Sequence, residues 1–209
     1  LLDIAYPYPE TSIINFLSMN NYAALIPIKG FESAKERLST VLKATKRASL
    51  AKQLATEVIK SCSELSVWVV CEDDTVEFWA NDLGVNVIRN PKRGLNEAAY
   101  FGFHVLREKG FNRVLIAHGD LMRPEGLPSL IDLAEIVIVP DAKLDGTNVL
   151  VLPTSIEFTF SYGPDSYSHH LHCAKETGLS LSVVEDSNFA FDIDDPDDLR
   201  RLSLEDEFD

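Results

Sequence analysis

Short, continuous apolar runs recur along this chain, separated by amphipathic stretches of helical length. The runs are Tyr22–Ile28, Val67–Val70, Val85–Ile88, Arg113–Ala117, Ile136–Val139, Val149–Leu152 and Leu179–Val184. A strand with no polar alternation is buried on both faces, which happens when helices cover both sides of a parallel sheet. The intervening stretches fit that requirement. Between Arg47 and Cys62, for example, Leu50, Leu54, Val58 and Ile59 fall on one helical face. Further helices are expected over Thr75–Asp82, Asn96–Lys109, Glu125–Ala134, Asp165–Lys175 and Asp197–Leu204, with Gly110 as a stop signal. The pattern is that of repeated βαβ units, an α/β fold with a mainly parallel sheet. Such sheets bind ligands beyond the carboxyl ends of their strands.

Composition limits the functions available to that scaffold. A net charge of −14 over 209 residues argues against broad binding to nucleic acid or to an anionic membrane. No apolar stretch is long enough to span a bilayer. Cys62, Cys71 and Cys173 lack metal-site spacing and are read as reduced thiols of a cytoplasmic protein. Residues 1–18, with Tyr6-Pro-Tyr-Pro9, are read as an N-terminal extension, not native or poorly ordered, and residues 19–209 as one domain.

Carboxylates stand where the sheet should hold a ligand. Val114–Ala117 runs into His118-Gly119-Asp120, and the apolar Phe189-Ala-Phe191 runs into Asp192-Ile-Asp194-Asp195-Pro196. Two such sites at strand exits are suited to a hard divalent cation, with Asp120 and Asp192 as the pair. Strand alternation puts Asp194 on the same side as Asp192, so it joins the candidate metal ligands. Asp195, Asp197 and Asp198 fit better as caps on the last helix.

A basic island faces this acidic end. Residues 29–52 carry seven Lys or Arg (29, 35, 37, 43, 46, 47, 52) against Glu32 and Glu36, whereas residues 185–209 hold eleven acids against two arginines. Cations on one wall and metal-binding acids on the other suit a nucleoside triphosphate with Mg2+. Lys29, directly after the first strand, is the strongest candidate; Lys35 and Arg37 follow it, and Arg37 is equally suited to a structural ion pair. Neither a GxxxxGK[ST] loop nor a GxGxxG fingerprint is present. Gly94 and Asn96 open a helix where backbone amides can meet a ligand, and Asn96 is equally suited to capping that helix. Thr147, after Gly146, and Ser166, after Gly163-Pro164, offer hydroxyls and free amides to a small anion, although Ser166 and Asp165 also fit as ordinary caps. His169, His170 and His172 are read as structural or substrate-lining, and His118 as a hydrogen-bonding neighbour of Asp120.

Six segments in register carry a more specific resemblance. They are Pro27-x-Lys29 with Lys35-x-Arg37-Leu38, Gly94-Leu95-Asn96-x-Ala98, His118-Gly119-Asp120-Leu121, Asp145-Gly146-Thr147-Asn148, Tyr162-Gly163 with Ser166-Tyr167, and Asp192-x-Asp194-x-Pro196-x-Asp198-Leu199. Together they resemble the CofC/FbiD family, guanylyltransferases of coenzyme F(420) biosynthesis. The resemblance implies a three-layer GT-A-like nucleotidyltransferase fold with a mainly parallel, mixed central sheet. It also implies transfer of GMP from GTP to 2-phospho-L-lactate, phosphoenolpyruvate or 3-phosphoglycerate, with release of pyrophosphate. By the same resemblance Lys29, Lys35, Arg37, Gly94 and Asn96 serve the nucleotide, and Thr147, Gly163 and Ser166 serve the acid. Lys29, Asp120 and Asp192 are then the catalytic set, with Mg2+ on Asp120, Asp192 and Asp194, in a monomer or homodimer. Met122-Arg123 before Pro124, where the family often has Pro directly, departs from the pattern. Two rival readings are a nucleotidyltransferase acting on the molybdenum cofactor or a sugar phosphate, and an inactive GTP-binding subunit.

Overall fold

A computed structural model describes residues 21–185 and 187–205. The expected extension over residues 1–18 lies outside them.

Seven strands form one sheet: β1 Tyr22–Pro27, β2 Ser66–Cys71, β3 Asn86–Arg89, β4 Arg113–Ala117, β5 Ile136–Pro140, β6 Thr147–Pro153 and β7 Leu181–Val183. Their spatial order is β3-β2-β1-β4-β6-β5-β7. All neighbours run parallel except β6, which is antiparallel to both β4 and β5. The sheet is therefore mixed. The tight Asp141–Gly146 turn explains the reversal, because six residues can return as a hairpin but cannot make a crossover.

Strand alternation divides the core between two faces. Ala24 and Ile26 of β1 point to one side, where α1 (Ala44–Ser61) contributes Ala51, Ala55, Val58 and Ile59, and α2 (Asp74–Asp82) contributes Val76, Trp79 and Ala80. Ala23 and Leu25 point to the other, against Ala98, Ala99, Phe103 and Leu106 of α3 (Leu95–Glu108) and Ala174 of α4 (Ser166–Glu176). This is the three-layer arrangement that doubly buried strands require. α5 (Ser187–Ala190) and α6 (Pro196–Glu205) complete the described chain.

Three expected elements differ. The stretch Glu125–Ala134 makes only a 3-10 helix over Leu127–Asp132. Gly126 enters it in the left-handed region (φ 88°), and Pro128 lies in its first turn. The helix expected to begin at Asn96 begins at Leu95, with Gly94 as its cap. Phe189-Ala-Phe191 is not a strand: Phe189 and Ala190 belong to α5, and a single bridge, Leu121 to Asp192, joins the following residues to the chain after β4. Phe189 and Ala190 are buried there and Phe191 half-buried, without a ladder of their own.

Candidate active site

β1 and β4 lie side by side in the centre of the sheet, so the residues just beyond them meet over one point. After β1 the chain does not enter a long helix at once. It makes two 3-10 turns, Phe31–Ser33 and Glu36–Thr40, with Lys35 between them in the left-handed region at φ 54°. Phe31 anchors the first turn edge-on against Trp79 of α2 with ring centres 5.0 Å apart. Arg47 of α1 donates to the carbonyls of Ala34 (3.5 Å) and Leu42 (3.2 Å) and holds both ends of the second turn. Gly30 is required for packing: a Cβ there would lie 2.8 Å from Asp73 Oδ2. Asp73 caps α2 by accepting from the amides of Thr75 (2.9 Å) and Val76 (3.2 Å).

These turns carry Lys35 inward. Its side chain is only 5% exposed, and its ammonium donates to Asp120 Oδ2 and to Asp194 Oδ1, the latter at 3.0 Å. Arg37 stays outside, 78% exposed, with its guanidinium 3.8 Å from Asp194 Oδ2. Lys29 is exposed on the rim of the same cavity.

Asp120, Asp192 and Asp194 each offer a carboxylate oxygen, and the three oxygens lie within 4.8 Å of one another. The expected pair and its third member thus come together, although not along a strand. The bridge from Leu121 fixes Asp192, and Asp198 Oδ2 accepts from the amides of Asp194 (2.9 Å) and Asp195 (2.8 Å). Asp195 Oδ1 in turn accepts from the amides of Asp197 and Asp198. That reciprocal capping keeps the remaining acids on α6 and leaves Asp194 free to face Asp120.

The three carboxyls are electrostatically unequal. Burial works against the Asp120 carboxylate, but the Lys35 ammonium, with His118 and Lys29, outweighs it and lowers the pKa. Asp192 is pushed up to about 7, first by burial and then by the charges of Asp120 and Asp194. Burial likewise opposes the charge on Lys35, yet Asp120 and Asp194 raise its pKa overall. Three acids converging on one place with a single buried cation leave a net negative centre. Its all-oxygen donor set fits a hard divalent ion such as Mg2+.

A cavity of about 460 Å3 extends from this centre across the strand ends, reaching Lys29, Lys35, Glu72, Gly94, Leu95, His118, Gly119 and all three aspartates. Gly94 has φ 112° with nothing within 4 Å of where a Cβ would sit, so the α3 N-terminus presents an open backbone. Asn96 is exposed and is not among the residues that line the cavity. Its amide group is used by the Tyr162 backbone, donating to the carbonyl (3.1 Å) and accepting from the amide (2.5 Å). Nor does it cap its own helix.

The family model described as "Guanylyl transferase CofC like" matches residues 22–207. The chain belongs to this CofC-like guanylyl transferase family. It is 35% identical over 188 residues to the phosphoenolpyruvate guanylyltransferase of Rubrobacter xylanophilus, covering 86% of this chain and 92% of that protein. It is 31% identical over 189 residues to the 2-phospho-L-lactate guanylyltransferase of Methanothermobacter thermautotrophicus, covering 87% of this chain and 83% of the relative. Among solved structures, a nucleotidyl transferase from Methanothermobacter thermautotrophicus shares the fold, with a TM-score of 0.62 at 16% identity over 89% of this chain and 97% of that one.

The expected acid-binding residues of this CofC-like chain form a second group beside the cavity. Thr147 opens β6 and is buried, and its Oγ1 lies 3.0 Å from Nδ1 of the fully buried His170. The Ser161 amide donates to His170 Nε2 at 2.9 Å, so Nδ1 carries the proton and Thr147 accepts it. Burial pushes His170 down to about 4. Of the two expected roles, structural or substrate-lining, these bonds give His170 the structural one, and Thr147 is bonded to it. Gly163 (φ 126°) and Ser166 shape the turn into α4, and Asp165 between them takes φ 59° without capping the helix by its side chain. Thr147, Gly163 and Ser166 do not line the cavity themselves. Tyr162 and His118 stand between the two groups with ring centres 5.3 Å apart. His118 Nε2 is buried with no hydrogen-bond partner. No helix among the described residues is long and apolar enough to cross a membrane.

Proposed function

We propose that this protein transfers GMP from GTP to the phosphate of a three-carbon phospho-acid and releases pyrophosphate, as a step of coenzyme F(420) biosynthesis. The observation that carries the reading is the convergence of Asp120, Asp192 and Asp194 at one end of a cavity lined by Lys29 and Lys35. The family supplies the reaction type, and the relatives named above act on phosphoenolpyruvate and 2-phospho-L-lactate.

The chemistry needs no general base. A phosphate oxygen of the acid, ionised at neutral pH, attacks the α-phosphorus of GTP while the bond from that phosphorus to the bridging β-phosphate oxygen breaks. Asp120, Asp192 and Asp194 are the residues to hold Mg2+, which when bound supplies charge neutralisation between the acids and the phosphates. Lys29 and Lys35 stabilise the charge growing on pyrophosphate, and Arg37 joins them from the rim. The open backbone at Gly94 admits the nucleoside. Gly163 and Ser166, with Thr147 held behind them by His170, form the receptor for the acid. Alignment and charge neutralisation together account for this class of catalysis.

Pyrophosphate release and product mass with GTP and each of phosphoenolpyruvate, 2-phospho-L-lactate and 3-phosphoglycerate test the assignment. Turnover with one of the three is expected. Turnover only with a sugar phosphate, or GTP binding without release with any acceptor, refutes it.

A further inference from the structure

Lys35 occupies a place that its neighbours also suit for another cation. Its ammonium hydrogen-bonds Asp120 Oδ2 and Asp194 Oδ1, two of the three residues whose oxygens gather within 4.8 Å. A divalent ion bound to those oxygens at about 2.0–2.6 Å would press against that ammonium, and two cations so close repel strongly. Withdrawal without a replacement leaves Asp120 and Asp194 facing one another with no cation between them, which like-charge repulsion disfavours. Departure of one cation and arrival of the other must be a single exchange.

We propose that Lys35 is such an exchangeable internal cation: a divalent ion entering the aspartate trio displaces its ammonium, and the freed side chain turns to the nucleotide phosphates. The inference rests on the reading of the trio as a metal site. Three observations carry it. Lys35 alone among the cations of the basic island reaches the trio's interior; Lys29 stays on the rim and Arg37 approaches only the outer oxygen of Asp194. Lys35 sits between two short 3-10 turns rather than inside a regular helix, so its backbone can shift along with the side chain without breaking an α-helical ladder. The same cavity holds both the trio and Lys29, so a displaced ammonium arrives where phosphates are to be held. Metal and nucleotide thereby become coupled ligands: the ion releases the lysine, and the phosphates give the lysine a new partner.

The test is a direct Mn2+ titration of the folded protein, with and without a non-hydrolysable GTP analogue, for the parent, Lys35→Met and Lys29→Met. Without nucleotide, Lys35→Met should bind the ion about tenfold more tightly than the parent, because its competitor is gone. Lys29→Met removes an equal charge from the rim and should change the affinity by no more than about threefold. The analogue should tighten ion binding strongly in the parent and far less in Lys35→Met. Reductive methylation read by mass spectrometry follows the side chain itself. Lys35 should be protected without metal, reactive with Mn2+ alone, and protected again with Mn2+ and analogue. If Lys35→Met does not fold, Lys35→Gln takes its place in the titration, and the labelling needs no substitution. Unchanged or weaker ion binding in Lys35→Met, an equal gain in Lys29→Met, or Lys35 still protected in saturating Mn2+ overturns the exchange. No ion binding in any protein overturns it together with the metal site. Exchange as stated with no phospho-acid turned over leaves it standing and removes only the proposed reaction.

Discussion

Asp192 is a carboxyl placed where folding must work against it, and Asp192→Asn should expose that cost. Its folded pKa is about 7 against an ordinary 3.8. Between those values the unfolded chain has lost the proton while the folded chain keeps it. Stability from this group therefore falls as pH rises from about 4 to 7, and the whole penalty is present above 7. At about 1.4 kcal/mol per tenfold change, the difference is about 4 kcal/mol at most, and solvent entering the partly exposed site reduces it to about 2 kcal/mol. His170 works in the opposite direction. Its folded value of about 4 lies below the ordinary 6.5, so its contribution is present above 6.5 and is lost as pH falls towards 4. The two slopes oppose each other over most of the same window, so a flat parent profile proves nothing. The informative quantity is the difference between variant and parent in urea unfolding, measured without divalent ions from pH 4 to 8. Asp192→Asn should match the parent near pH 4 and exceed it by about 2 kcal/mol at pH 7.5. Adding Mg2+ should then stabilise the parent and not the variant. A variant no more stable than the parent at pH 7.5, or one with the same advantage at pH 4, refutes the reasoning.

Asp120→Ala should abolish pyrophosphate release while leaving the far-ultraviolet circular dichroism native, because Lys35 keeps Asp194 as a partner; turnover with Mg2+ would reject its role. Ser166→Ala should raise the KM for the acid several-fold with kcat nearly unchanged, and an unaltered KM in steady-state kinetics would move the acid receptor elsewhere. Gly102→Ala sets two effects against each other. Alanine gains about 1 kcal/mol in a helix interior, but here its Cβ would lie 2.7 and 2.8 Å from the two methyls of the buried Leu25. Overpacking of that kind costs about 1–3 kcal/mol, so thermal unfolding should show a net loss; a gain would mean that Leu25 can turn aside freely.

The parts of this architecture legible from sequence are those set by local pattern. Ala23 to Ile26 is apolar at every position because both faces of β1 are covered, and that run alone implies helices on each side. Asp120 was legible for a related reason: a carboxylate directly after a fully buried strand has no packing role to play. Asp192 and Asp194 are placed not by strand alternation, as the apolar run before them suggests, but by the bridge from Leu121 and the cap from Asp198. The tie of Asn96 to the Tyr162 backbone spans 66 residues and leaves no local trace in the sequence. Thr147 hides its partner in the same way, 23 residues distant in His170.

Lys35 marks the boundary most sharply. In the sequence it is one of seven basic residues in a run, of which only Lys29, directly after the first strand, stands out by position. What separates them is the backbone. A left-handed residue between two 3-10 turns drives one side chain of the run under the others and into the acids. A non-glycine residue at φ 54° is uncommon, and the conformation costs on the order of 1 kcal/mol. Contact with two carboxylates offsets it. Lys35→Gly should relieve that backbone cost yet still destabilise the protein, because the uncompensated charge of Asp120 and Asp194 outweighs the strain removed. If Lys35→Gly instead proved more stable than the parent in urea at neutral pH, the lysine would be held by its backbone alone, and the carboxylates would have no claim on it.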